Sequence, residues 1–130
     1  MKILILVARI LLGLIFFVLG LNKIVPFIPA TMPSGGAGAL MGLMFAHHWI
    51  TFYGFVESAA GLMLLTGRFV PLGLTLLAGM IVNILLFHIT LQPSGLPVGL
   101  AVGVLEAFLV YAYRASFAGI LAAKAEPKLA

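Results

Sequence analysis

The chain contains neither cysteine nor aspartate in its 130 residues. Without cysteine it forms no disulfide, no thiolate metal site, no iron–sulfur ligation and no dithiol redox centre of its own. Without aspartate, the acidic side chains are limited to Glu57, Glu106 and Glu126, and a Ser–His–Asp arrangement is excluded. Because Glu126 falls in a polar C-terminal stretch, acidic chemistry must be sought at two glutamates inside apolar segments.

Charge is also scarce in this sequence. Only 8% of the residues are charged and 64% are hydrophobic, with a mean hydropathy of +1.29. Soluble domains have about a quarter of their residues charged, so the composition predicts an integral membrane protein with residues 1–130 as a single domain in the lipid bilayer. The net charge is +4, but the basic residues lie scattered at the ends of apolar runs and form no basic patch. We therefore expect no nucleic-acid partner.

Proline- and glycine-rich breaks divide the chain into four apolar runs that are long enough to cross a bilayer as helices. The sequence therefore predicts an all-α bundle of four transmembrane helices, spanning about residues 3–25, 48–66, 72–91 and 98–117. Residues 26–46 are predicted as an extracytoplasmic or re-entrant loop, with room for a short interfacial helix around Leu40 to Phe45. Residues 124–130 are predicted as a short polar tail.

The basic residues predict the orientation of these spans. An even number of spans places both termini on one side, where six of the seven basic residues then fall, and only Lys23 falls on the other side. Cytoplasmic loops and ends carry the excess of Lys and Arg in membrane proteins. We therefore expect both termini to be cytoplasmic and the histidines to be extracytoplasmic.

Each predicted helix carries one stripe of small and polar residues, which is typical of helix–helix contacts in membranes. The stripes are predicted to face the bundle interior. They comprise Arg9, Gly13, Phe16, Gly20 and Lys23 in the first helix; Gly54, Glu57, Ser58, Gly61 and, beyond them, Arg68 in the second; Thr75, Gly79, Asn83 and Thr90 in the third; and Gly99, Gly103, Glu106 and Tyr113 in the fourth.

A carboxylate inside an apolar helix must pair with another segment, take up a proton or face water. Counting residues along the helices places Glu57, Glu106 and Asn83 near the middle of the bilayer, with Arg9 about one turn away. One interpretation is an intramembrane proton or charge site formed by Glu57, Glu106 and Arg9. The other is structural: one glutamate pairs with Arg9 to fix the helix register, and the other is protonated and hydrogen-bonded to Asn83 or Ser58.

The histidines His47, His48 and His88 lack the spacing of a metal motif, so no metal site is predicted. His88 is the only one inside a predicted span. It is suited to hydrogen-bond an oxygen of a bound quinone, or alternatively to bond the backbone of the adjoining loop. Lys23, with its neighbour Asn22, is expected at the same outer level.

The pattern Arg9-x3-Gly13-x6-Gly20-Leu21-Asn22-Lys23 resembles the DoxX family of small bacterial membrane proteins. So does Glu57-x3-Gly61-x5-Gly67-Arg68, and Asn83-x4-His88 resembles the DoxX-like branch. The resemblance covers roughly residues 5–95. It implies a multi-pass protein of the bacterial inner membrane, related to subunits of thiosulfate:quinone oxidoreductase and to membrane partners of thiol and superoxide defence enzymes. Chemistry that depends on cysteine does not carry over to this chain.

Three functional hypotheses follow from the resemblance and the residues. The first is a quinone-associated redox subunit or redox-complex partner, whose quinone head group contacts His88, Asn83, Lys23 and Asn22 while Glu57 or Glu106 exchanges protons. The second is a non-catalytic membrane scaffold or assembly protein, bound to a redox partner protein or to further copies of itself. The third is a small transporter that functions as an oligomer.

Overall fold

The computed structural model describes residues 1–128 and contains five α-helices. Four helical segments are long and apolar enough to cross a membrane: Lys2–Ile24, Trp49–Thr66, Val70–Thr90 and Pro93–Ala112. The helices are α1 (Lys2–Ile24), α2 (Gly35–Ala46), α3 (Trp49–Thr66), α4 (Val70–Thr90) and α5 (Leu96–Ala112), with short 3₁₀ turns at Pro93–Gly95 and Arg114–Phe117. No strand occurs within the described residues.

The predicted all-α class with four membrane-spanning helices is confirmed. The first three predicted spans agree with α1, α3 and α4 to within two residues at each end. The fourth was predicted to run to Phe117, but α5 ends at Ala112, and the chain continues as the 3₁₀ turn Arg114–Phe117. The cytoplasmic placement of both termini stays a prediction.

The segment predicted as a loop at 26–46 contains the helix α2. It extends beyond the short helix expected around Leu40 to Phe45, because it begins at Gly35, directly after Ser34 in an extended conformation.

At the end of α1, the Asn22 side chain redirects the chain: its Oδ1 accepts hydrogen bonds from the backbone N–H groups of Phe27 and Ile28, both at 2.8 Å. Residues 124–128 form no helix or strand, and the last two residues of the predicted tail lie outside the described residues.

Helices α1 and α3 are antiparallel and pack so closely that their backbones touch. A Cβ atom added to Gly20 would lie 2.6 Å from the Ser58 backbone nitrogen, and one added to Gly61 would lie 2.5 Å from the Phe17 nitrogen. Glycine is therefore required on both sides of this interface, as is usual where membrane helices approach closely. Gly54, Glu57, Ser58 and Gly61 are all buried, which confirms the predicted inward stripe within α3, whereas Arg68, predicted to extend it, is exposed.

The inward stripe predicted for α4 is wrong. The four residues of its predicted inward stripe are all exposed, and large apolar residues such as Leu74, Leu77 and Ile81 are buried instead. The exposed polar groups have partners on their own helix: Asn83 Nδ2 donates to the Gly79 carbonyl at 3.0 Å, and the two threonine hydroxyls, Thr75 and Thr90, donate to carbonyls four residues earlier. Local bonds of this kind satisfy a polar side chain without a neighbouring helix.

The core lies where α1, α3, α4 and α5 meet. Its centre contains five leucines without any exposed surface, namely Leu12, Leu64, Leu74, Leu77 and Leu109. On α5, Gly99 and Glu106 are buried beside this core, whereas Gly103 and the residue that follows the helix, Tyr113, are half-buried. The core fixes the relative positions of the helices that carry the polar residues described next.

Candidate functional site: a cleft lined by the Lys23–Glu57 ion pair

The Glu57 carboxylate forms an ion pair with Lys23. Lys23 Nζ lies 2.6 Å from Glu57 Oε2, and Glu57 is only 1% exposed. Lys23 lies in the last turn of α1, and its side chain crosses α3 beside Gly54: a Cβ atom added to Gly54 would lie 3.0 Å from Lys23 Cβ. The absence of a side chain at Gly54 therefore opens the path by which the lysine reaches the acid.

This pairing differs from the prediction, which named Arg9, Asn83 and Glu106 as candidate partners of Glu57. The prediction placed Lys23 at the outer membrane surface from the position of its Cα atom alone. A lysine has four methylene groups, which can run along an apolar surface and carry the ammonium group far from the backbone. Here the side chain runs back along α3, and only 28% of it is exposed.

Arg9, in the first half of α1, lies beside the end of α3 opposite to Lys23. Its guanidinium group packs against Gly67, where an added Cβ atom would lie 2.7 Å from Arg9 Nη1. Arg9 Nε is buried without a hydrogen-bond partner, and Lys23–Glu57 is the only salt bridge found within residues 1–128. Arg9 is therefore separate from Glu57.

Glu106 is buried on α5, with 6% of its surface exposed. Neither of its carboxyl oxygens has a hydrogen-bond partner in the part of the chain that the structure describes. It is flanked on the same buried face by Val102 and Leu109. The predicted group of Glu57, Glu106 and Arg9 is thus not connected by hydrogen bonds or ion pairs: each of the three has a different environment.

A cleft of about 390 Å³ opens between α2, α3 and α4, and Lys23 and Glu57 both line it. Asn83 and His88 line it as well, so three of the four residues predicted to contact a quinone head group share one cavity with Glu57. Asn22 is not among its lining residues, and its Oδ1 is already bonded to the backbone. The rest of the lining is mainly apolar and aromatic: Leu40, Met41, Met44, Trp49, Ile50, Tyr53, Met80, Ile84, Leu86, Phe87, Thr90 and Leu91.

Two aromatic residues of α3, Trp49 and Tyr53, and two methionines of α2, Met41 and Met44, form part of this lining. They line the cleft because α2 packs against α3 and brings its methionines to face the α3 aromatics. The signal available in the sequence was the uncharged, methionine-containing run after Ser34, which had to pack against another apolar surface.

The His88 ring is held at the end of α4. Its Nδ1 lies 3.0 Å from the Gln92 carbonyl oxygen, which confirms the alternative in which His88 bonds the loop backbone. The ring lies directly against Gly95, where an added Cβ atom would collide with Cε1 and Nδ1, and it meets the Phe87 ring edge-on at 5.3 Å between centroids. Across residues 1–128, no three His or Glu side chains are grouped so that they could hold a metal ion.

These observations define a helical integral membrane protein with a mainly apolar cleft between its helices, into which a few polar side chains project. The DoxX family model matches residues 4–89, so the chain belongs to the DoxX family. The match covers nearly all of α1 and α4 and the whole of α2 and α3, and it includes Lys23, Glu57, Asn83 and His88, whereas Thr90 and Glu106 lie outside it. No curated protein and no solved structure matches the chain significantly.

Proposed function

We propose that this DoxX-family protein is a quinone-associated redox subunit or redox-complex partner that binds the quinone ring in the cleft between α2, α3 and α4. The observation that carries the proposal is the presence of Lys23, Glu57, Asn83 and His88 in one mainly apolar cavity. Small-molecule sites have this character, with apolar walls and a few polar groups that fix orientation. The volume of about 390 Å³ is sufficient for a substituted ring.

The cleft also suits a ligand that arrives through the bilayer. Trp49 and Leu86 line it and are each 59% exposed, on helix surfaces that face lipid in a membrane-spanning bundle. Glu57, at the other extreme, is the least exposed of the lining residues. A long apolar tail can therefore remain among the lipid chains while the ring reaches the ion pair.

The chain's own residues supply binding and proton exchange. Lys23 has three N–H donors and uses one for Glu57, so a second can bind a ring oxygen. Glu57 holds the ammonium group in place and is the acid–base group nearest to that oxygen. Asn83 uses one amide N–H for Gly79, which leaves its Oδ1 as an acceptor at the edge of the cleft. A bound quinone supplies two-electron, two-proton redox chemistry.

The proposed location is the bacterial inner membrane, with both termini cytoplasmic. Its support is the distribution of Lys and Arg, with six residues on the side of the termini and only Lys23 on the other. This count of basic residues sets the orientation of membrane spans.

The single tryptophan of the chain provides a direct test, because Trp49 lines the cleft. Quinones quench tryptophan fluorescence, so a short-chain quinone added to the protein in nanodiscs should give a saturable quenching component. Lys23→Met and Glu57→Gln should each weaken that component, raising the apparent Kd about tenfold for the loss of one charged hydrogen bond.

Quinones also dissolve in lipid and quench by collision, which requires a control. The double variant Trp49→Phe, Tyr111→Trp moves the reporter to a residue of α5 that is 65% exposed and outside the cleft. It should show only linear, non-saturable quenching. Linear quenching in the wild type, or identical saturation in both proteins, would overturn the proposed function.

A further inference from the structure

The His88 ring has two different nitrogens, and the structure determines what each can do. Nδ1 lies 3.0 Å from the Gln92 carbonyl oxygen. A carbonyl oxygen only accepts hydrogen bonds, so Nδ1 must carry the hydrogen. In a neutral imidazole the other nitrogen, Nε2, then has a free lone pair and acts as an acceptor.

Nε2 is available to a ligand. It has no partner among the side-chain hydrogen bonds of residues 1–128, and it is not among their buried unpaired atoms. Gly95 and Phe87 hold the ring in place, since Gly95 packs directly against its Nδ1, Cε1 and Nε2 atoms and Phe87 meets it edge-on. The ring therefore cannot easily turn over to exchange its two nitrogens, because Gly95 and the Gln92 carbonyl fix the side that carries Nδ1.

The polar groups of the cleft therefore differ in their hydrogen-bonding roles. Lys23 offers hydrogen-bond donors, whereas His88 Nε2 offers only an acceptor. A fully oxidised quinone has acceptors at both ring oxygens, so the oxygen nearest His88 would face a lone pair. A hydroquinone can accept from Lys23 with one oxygen and donate the O–H of the other to His88, and a phenol can donate its one O–H to His88.

We infer that the cleft selects rings bearing a hydroxyl group, and so binds the reduced, hydroquinone form in preference to the oxidised form, with His88 Nε2 as the specificity-determining acceptor. The inference rests on the proposed function, since it concerns the same cleft. It adds the hydrogen-bonding class of the preferred ligand. It also implies that any protein partner that oxidises the ring takes electrons from a hydroquinone already bound in the cleft.

A redox-inert pair of ligands tests this preference. Para-nonylphenol and its methyl ether have the same ring and tail, but only the phenol can donate. Each is titrated against the quinone in the Trp49 quenching assay at pH 8. We expect the phenol to compete at about three- to tenfold lower concentration than the ether in the wild type. In His88→Phe, which keeps a flat ring against Gly95, the ratio should fall to about one.

Nitrogen NMR of protein labelled in its histidines supplies a measurement that does not depend on ligand affinity. The signal lost in His88→Phe identifies His88, and its two nitrogens should show a protonated Nδ1 and an unprotonated Nε2 at pH 8. Equal competition by phenol and ether, a preference that survives in His88→Phe, or the opposite tautomer would overturn the inference alone. Absence of saturable quenching by the quinone would overturn the proposed function and this inference with it.

Discussion

Gly54 has no side chain at the point where the Lys23 side chain crosses α3. An added Cβ atom would lie 2.7 Å from the Gly20 carbonyl oxygen and 3.0 Å from Lys23 Cβ. The lack of a side chain at Gly54 thus allows α1 and α3 to touch and also allows the Lys23 ammonium group to reach Glu57. The helix contact and the polar site therefore depend on one position.

The first prediction is that Gly54→Ala separates α1 from α3. We expect a loss of about 1–3 kcal/mol in the free energy of unfolding, as for other overpacked positions, together with weaker quinone quenching. The measurement is reversible unfolding in detergent. Gly79→Ala is the matched control, because an added Cβ atom there meets nothing within 4 Å. Alanine is the better helix former by up to about 1 kcal/mol, so the control should be neutral or stabilising. Equal losses in the two variants would contradict the packing described.

The second prediction concerns the coupling of Lys23 and Glu57. Lys23→Met leaves the buried Glu57 carboxylate without a partner, and removal of one member of a buried ion pair costs about 2–5 kcal/mol. The double variant Lys23→Met, Glu57→Gln removes both charges and should recover most of that loss. A double-mutant cycle on unfolding measures the coupling. Additive effects of the two substitutions would show that the pair contributes nothing to stability.

The third prediction concerns Arg9 and Gly67. Gly67 has a φ of 70°, which disfavours other residues, and Arg9 occupies the space that a Cβ atom would need. Gly67→Ala should therefore cost about 1–2 kcal/mol for the backbone and more for the displaced guanidinium group. Gly35 has a φ of 66° with nothing within 4 Å, so Gly35→Ala measures the backbone cost alone. If the two variants lose the same stability, Arg9 does not pack against Gly67 as described.

The fourth prediction concerns Glu106. Its two carboxyl oxygens are buried without partners, and a buried polar group without hydrogen bonds is costly. Glu106→Met, of similar length, should raise the thermal midpoint of unfolding and leave the saturable Trp49 quenching unchanged. The comparison is Glu57→Gln, which loses an ion pair in the cleft. Loss of quenching in Glu106→Met would return Glu106 to the functional site that the sequence predicted for it.

The number and placement of the spans could be predicted because apolar length and proline-rich breaks are local properties of the chain. The inward stripe of α3 could be predicted for a similar reason: an acid flanked by Gly54, Ser58 and Gly61 has only one face to bury. The stripe of α4 could not, because Thr75, Asn83 and Thr90 bond to their own helix and need no neighbour. Periodicity alone does not distinguish polar residues with partners on the same helix from those that need partners on another.

The partner of Glu57 could not be predicted, because a side chain as long as lysine is not placed by its position along the helix. Arg9 and Lys23 are both at the ends of the α1 stripe, and the helical spacing gives no reason to choose between them. The choice depends on Gly20 and Gly54, which set how closely α1 and α3 approach and leave the lysine a path. The cleft depends in turn on α2, a helix inside a segment that reads mainly as a loop.

The ion pair between α1 and α3 has a consequence for the biogenesis of the protein. Among the four spans, α3 is the least apolar, and an acidic residue near the centre of a helix opposes membrane insertion by roughly 3 kcal/mol. Helix α1 precedes it, is the most apolar of the four, and carries both the glycine face and the lysine that α3 requires. Helix α1 is synthesised before α3 and supplies the contacts that allow α3 to remain in the bilayer, so we expect the two helices to be inserted together as a hairpin.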